Sequence, residues 1–113
     1  MTPREITSAM HRLFQHETGG NEPWRHLMKD GALDRGLCDR LLEDYISDNE
    51  VVVFADPRHA LQCKRIDASR YIDEFMKLGY VKIANLTFSS KVVIAPIGVG
   101  QGFSKRSLPL SST

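Results

Sequence analysis

The apolar positions keep a helical period through the first third of the chain and then change to a strand-like one. Ile6, Met10, Leu13 and Phe14 recur at offsets that place them on one face of a helix. Thr2-Pro3-Arg4-Glu5 stands ahead of them and matches a capping box with a proline at the first helical position. Gly19-Gly20-Asn21 is expected to end this helix. Pro23 reads as the first residue of a short second helix that carries Trp24, Leu27 and Met28, closed by an Asp30-Gly31 turn. Leu33, Leu37, Leu41 and Tyr45 predict a third helix over 33–47, with Cys38, Leu42 and Ile46 widening the stripe. Gly36 inside it costs about 1 kcal/mol relative to Ala. The opposite face carries Asp34, Asp39, Arg40, Glu43 and Asp44.

Past Asp48-Asn49 the run Val51 to Ala55 predicts a strand, Asp56-Pro57-Arg58 a turn, and residues 60–66 a returning strand. Asp67 is a candidate N-cap for a further helix with Ile72, Phe75 and Met76 on its apolar face, Lys77 in its last turn and Gly79 beyond. Residues 80–84 and 91–97 predict a second strand pair, and Gly98-Val99-Gly100-Gln101-Gly102 reads as a break in regular structure. The expected fold is α+β: a helical N-terminal half of three helices, then β-hairpin, helix and β-hairpin. It forms one domain over residues 1–103, with a flexible tail over 104–113.

The totals suit an ordinary globular domain: 113 residues, 42% hydrophobic and 26% charged. They exclude a disordered, collagen-like, disulfide-scaffold or membrane-spanning chain. Cys38 and Cys63 are too few for a stapled fold. The polar start Met1-Thr2-Pro3-Arg4-Glu5 has no apolar signal region, so a cytoplasmic protein with reduced thiols is expected.

A net charge of +1 hides an asymmetry. Residues 1–50 hold six basic and ten acidic residues, and residues 51–113 hold nine basic and four acidic ones. After Glu74 no acidic residue follows, whereas Lys77, Lys82, Lys91, Lys105 and Arg106 do. A one-signed segment bears on partners and not on fold.

Constellations for catalysis are sparse. His59 and Cys63 share a face if they lie on a strand, but stand about 13 Å apart, too far for one ion. Lys64 and Arg65 would lower the Cys63 pKa were its thiol exposed, yet no cysteine-hydrolase signature flanks it. The glycines at 98, 100 and 102 could cradle an anion, but fit no nucleotide-loop spacing. Glu43-Asp44 and Asp73-Glu74 read as solvated helix faces, and Asn85-Leu86-Thr87 as a glycosylation sequon without a secretion signal. No catalytic residue, metal site or cofactor is expected.

Two non-enzymatic functions are expected. The first is a small regulatory protein that binds nucleic acid, DNA or RNA. It would use Arg58, Lys64, Arg65, Lys82, Lys91, Lys105 and Arg106 on phosphates, with Tyr80, Phe88 and Phe103 for stacking. Three helices and a charged hairpin also fit a winged-helix-like arrangement, although the third helix is acidic where a groove-reading helix would meet phosphates. The second is a protein-binding inhibitor or immunity-type module acting through Asp39, Glu43 and Asp44, or through a sheet edge.

Overall fold

The capping box at the N-terminus forms as the sequence predicts. In the computed structural model, which describes residues 1–15 and 23–104, the Thr2 amide donates to Glu5 Oε1 at 2.8 Å and the Glu5 amide to Thr2 Oγ1 at 3.2 Å. They start helix α1, Pro3–Gln15, whose Ile6 and Met10 are buried. The side chains of Leu13 and Phe14, the Gly19-Gly20-Asn21 stop and the tail beyond Ser104 lie outside the described residues.

The expected second helix is replaced by strands, so the N-terminal half is not helical throughout. Arg25–His26 is β1, Met28–Lys29 is β2 and Ala32–Leu33 is β3. The cause is the Asp30-Gly31 pair, at φ 54° and 80°. Two successive left-handed residues make the tight turn of a two-residue hairpin, and Met28 pairs with Leu33, Lys29 with Ala32. A Pro-initiated helix cannot run into that turn.

Helix α2 is shorter than its apolar period suggested, Arg35–Tyr45. Asp34 does not lie on its outer face. It is the N-cap, accepting from the amides of Gly36 and Leu37 at 2.9 and 3.2 Å. Cys38, Leu41 and Leu42 are buried, while Leu37 is 39% exposed.

Strand β4, Glu50–Asp56, turns at Pro57-Arg58 into β5, His59–Lys64. A 3-10 turn, Arg65–Asp67, leads into α3, Ala68–Phe75. Asp67 stands at the N-cap position already in a helical conformation and makes no side-chain cap bond, because the 3-10 turn supplies the entry. Then follow β6, Val81–Asn85, β7, Ser90–Ile94, and β8, Val99–Ser104. The expected glycine break is thus a strand.

Six strands form one antiparallel sheet in the order β1-β8-β7-β6-β4-β5. Alternation divides the core. Val51, Val53, Val81, Ile83, Val92 and Ile94 face α2 and α3, whereas Val52, Phe54 and Ala84 pack with Ile6 and Met10 of α1. The β4–β5 hairpin is the end of this sheet and not a separate wing, so the winged-helix-like arrangement does not form. No helix among the described residues is long and apolar enough to cross a membrane.

Candidate functional site

The five basic candidates within the described residues do not share one surface. Arg58 lies in the β4–β5 turn, where its amide donates to Asp56 Oδ1 at 2.8 Å. Lys64 ends β5 at the opposite pole, roughly 20 Å away by strand rise. Arg65 donates from its guanidinium to the Ile46 carbonyl at 2.6 Å, tying the start of the 3-10 turn to the end of α2. Lys82 and Lys91 lie on the α1 side of β6 and β7, opposite Val93 and Ala84 respectively. Lys91 is only 7% exposed, with its ammonium 5.3 Å from the Phe103 ring centroid. Phe88 packs against the α1 core, and Tyr80 is exposed. Lys105 and Arg106 lie outside the described residues.

The acidic candidates sort differently. Asp44 is held by Arg25 at 2.5 Å, and the same guanidinium lies over the Tyr45 ring. Asp39 and Glu43, one helical turn apart on α2, line a shallow groove of about 50 Å³ with Arg65 and Ile66. Two residues read as acidic protein contacts and one read as a phosphate contact therefore meet in one place.

This groove has an unbalanced polar group. Among the described residues, Asp39 Oδ1 is the buried side-chain oxygen without a hydrogen-bond partner. Burial pushes the Asp39 carboxyl above its ordinary value. A hydrogen bond with Ser69 works against the shift, Glu43 adds to it, and Arg35 opposes it. The far wall is Ile66, 73% exposed. Sequence reasoning missed Ile66 because it treated residues 60–66 as one strand. The available signal was an apolar residue between Arg65 and Asp67, outside the period of the helix that follows.

The other constellations are structural. His59 Nδ1 lies 2.8 Å from Asp56 Oδ1, and its ring meets Phe75 edge-on at 5.4 Å. That bond with His59 is the main reason the Asp56 carboxyl sits below its ordinary value. Asn85 is 3% exposed. Its amide donates to Asp48 Oδ1 and Ser89 Oγ, and its Oδ1 accepts from the amides of Ser89 and Ser90. The sequon asparagine is thus the brace of the β6–β7 turn. Asp73 stands 3.6 Å from Arg35, joining α3 to α2.

No protein-family model matches the chain, and neither the curated proteins nor the solved structures yield a significant match.

Proposed function

We propose that this protein is a non-enzymatic protein-binding module, of the inhibitor or immunity type, that receives a basic side chain of its partner in the groove between α2 and the 3-10 turn. The observation that carries the reading is Asp39 Oδ1, buried and unpaired beside Glu43 and an exposed Ile66. A buried acceptor left without a donor costs about 1–3 kcal/mol, so it needs an explanation. Asp39 Oδ1 is itself sealed from solvent, so a lysine or arginine from a partner would supply that donor as the groove opens to admit it. Its aliphatic stem would cover Ile66, whose full burial is worth about 1.5–3 kcal/mol.

Charge favours the same direction. Arg65 also lines the groove, but its guanidinium is engaged by the Ile46 carbonyl, and two carboxylates outnumber it. The dispersed lysines and arginines offer a phosphate backbone no continuous track, whereas one small acidic groove suits a protein contact.

The test is kinetic. A partner isolated on the immobilised chain is measured against Asp39→Asn with Glu43→Gln, and separately against Ile66→Ser. Removing the carboxylates should slow association by about tenfold at low salt, and the effect should shrink as salt rises. Ile66→Ser should speed dissociation. A partner that binds all these variants like the original chain, at every salt concentration, would refute the groove as the contact.

A further inference from the structure

The two edges of the sheet are unlike. β1 is two residues long, too short to template another strand. β5 is six residues, His59-Ala60-Leu61-Gln62-Cys63-Lys64, with no proline.

The direction of its backbone groups follows from one bond. The Arg65 amide donates to the Asn49 carbonyl at 2.8 Å. The pair next to it, Lys64 with Glu50, is therefore a non-bonded pair, and the alternation continues through Cys63 with Val51 and Gln62 with Val52. Leu61 and Cys63 direct their N–H and C=O groups at β4. Ala60, Gln62 and Lys64 direct theirs outward, where no strand of the described residues pairs with them, although the Lys64 carbonyl also opens the 3-10 turn as its N-cap. Proteins ordinarily blunt such an edge with proline, a bulge or inward charge. Here Lys64, at the last position, is the one charged side chain apart from the titratable His59.

We propose that β5 pairs antiparallel with β5 of a second copy of this chain, in the register centred on Gln62, so that two six-stranded sheets become one across a two-fold axis. In this register every outward-facing residue meets another: Gln62 meets Gln62, and Ala60 meets Lys64 on both sides of the axis. That makes about six backbone hydrogen bonds, whereas a shift of two residues either way leaves about four. The side chains agree with it. Lys64, long and exposed, lies opposite Ala60, small and buried, so like charges do not face one another. On the other face Leu61 of one copy meets Cys63 of the other, extending the apolar layer that both already join. Gln62 also links the Met1 ammonium, at 2.6 Å, to the Glu50 carboxylate, at 2.9 Å. The groups brought to the axis are therefore neutral in sum. The α2 groove begins one residue beyond β5, at Arg65, but the pairing rests on the backbone groups of the strand and not on the groove.

Sedimentation equilibrium of the full chain up to about 1 mM, with amide exchange by NMR at low and high concentration, tests the pairing. The expected mass is twice the 12.8 kDa of one chain. The amides of Ala60, Gln62 and Lys64 should slow by at least about tenfold on association, while Leu61 and Cys63 stay slow at every concentration. Gln62→Pro removes the central outward N–H and should return the chain to a monomer, whereas Glu43→Lys, in the groove, should stay dimeric. If the proline variant unfolds, the exchange pattern of the unaltered chain decides. A monomer at about 1 mM, or a dimer whose Ala60, Gln62 and Lys64 amides exchange as in the monomer, would overturn the proposal.

Discussion

Gly102 lies against the ring of Tyr45: a Cβ built on this glycine would stand 2.2 Å from Tyr45 Cδ2. Gly100, two residues earlier on the same face of β8, would place a Cβ 2.5 Å from Leu41 Cδ2. The two glycines are slots that let α2 approach the sheet. Gly102→Ala should therefore destabilise by overpacking, by about 1–3 kcal/mol. A domain of this size would lose on the order of 5–15 °C in Tm, measured by thermal denaturation. Combining it with Tyr45→Ala should cost less than the two separate losses together, because the ring is what the methyl meets. A Gly102→Ala chain that melts like the original would mean that α2 moves aside freely.

That relationship also explains where sequence reading stopped. Glycine every second residue has two physical readings, a flexible break or a strand approached closely by something bulky. The choice depends on α2, about 60 residues away, which local pattern cannot see. The same limit applies to Trp24, Leu27 and Met28, whose apolar character fits a helix until the Asp30-Gly31 turn forces a hairpin. The elements set by local chemistry were legible: the Thr2–Glu5 capping box, the Val51–Ala55 strand, the return from Pro57, and the Ile72, Phe75 and Met76 face of α3. Of the groove, Asp39 and Glu43 were legible as an acidic pair on a helix. Their meeting with Arg65 and Ile66 was not, because it depends on how the 3-10 turn folds back against α2.

Both thiols should be slow to react. Burial raises Cys38 to about 12, with Asp39 and Asp73 adding to the effect. Burial raises Cys63 to about 11, with Asp67 and Glu50 adding and Arg70 opposing. The basic neighbours Lys64 and Arg65 do not lower it: Lys64 alternates to the other face of β5, and Arg65 is turned toward the Ile46 carbonyl. From an ordinary value of 9.0, these shifts cut the thiolate about 1000-fold for Cys38 and about 100-fold for Cys63 at neutral pH. A disulfide reagent should label both quickly in denaturant, Cys63 slowly in the native chain, and Cys38 slowest of all. Native Cys63 reacting as fast as the unfolded thiol would contradict the packing of β5 against α3.

Nucleic-acid binding, if present, should be weak and shallow in its salt dependence. Arg58 and Lys64 stand at opposite poles of the hairpin, Arg65 is engaged and Lys91 is buried. Fluorescence anisotropy on labelled duplex and single strands reads the number of phosphate contacts directly. Each contact contributes about 0.9 to the log–log salt slope on duplex and about 0.7 on single strands. The expected result is no saturable binding near 50 mM salt at tens of micromolar protein, where nonspecific binders with Kd of about 10⁻⁴–10⁻⁶ M would register. A slope of about 4 or more, reduced by replacing Lys64 and Arg65 together, would return the basic residues to the centre of the function.

Asp39 gives a prediction that joins stability to binding. Its carboxyl is held above its ordinary value chiefly by burial, so the native state binds that proton more tightly than the unfolded chain does. Between the unfolded and folded pKa values the native state carries more protons, and stability falls as pH rises. The contribution is thus most favourable below the ordinary value of 3.8 and is lost as pH climbs through the raised folded value. At pH 7 the charged carboxylate is a net cost. Asp39→Asn should raise Tm at pH 7 and should gain nothing near pH 3. The same substitution should weaken partner binding, because it removes the charge that the groove presents. A residue whose loss stabilises the fold while impairing association is retained for the contact and not for the core. Melting curves of both chains from pH 3 to pH 7 supply the check. An Asp39→Asn chain less stable at pH 7 than at pH 3, relative to the original, would show that the carboxylate is satisfied in the native state and would remove the physical basis of the groove reading.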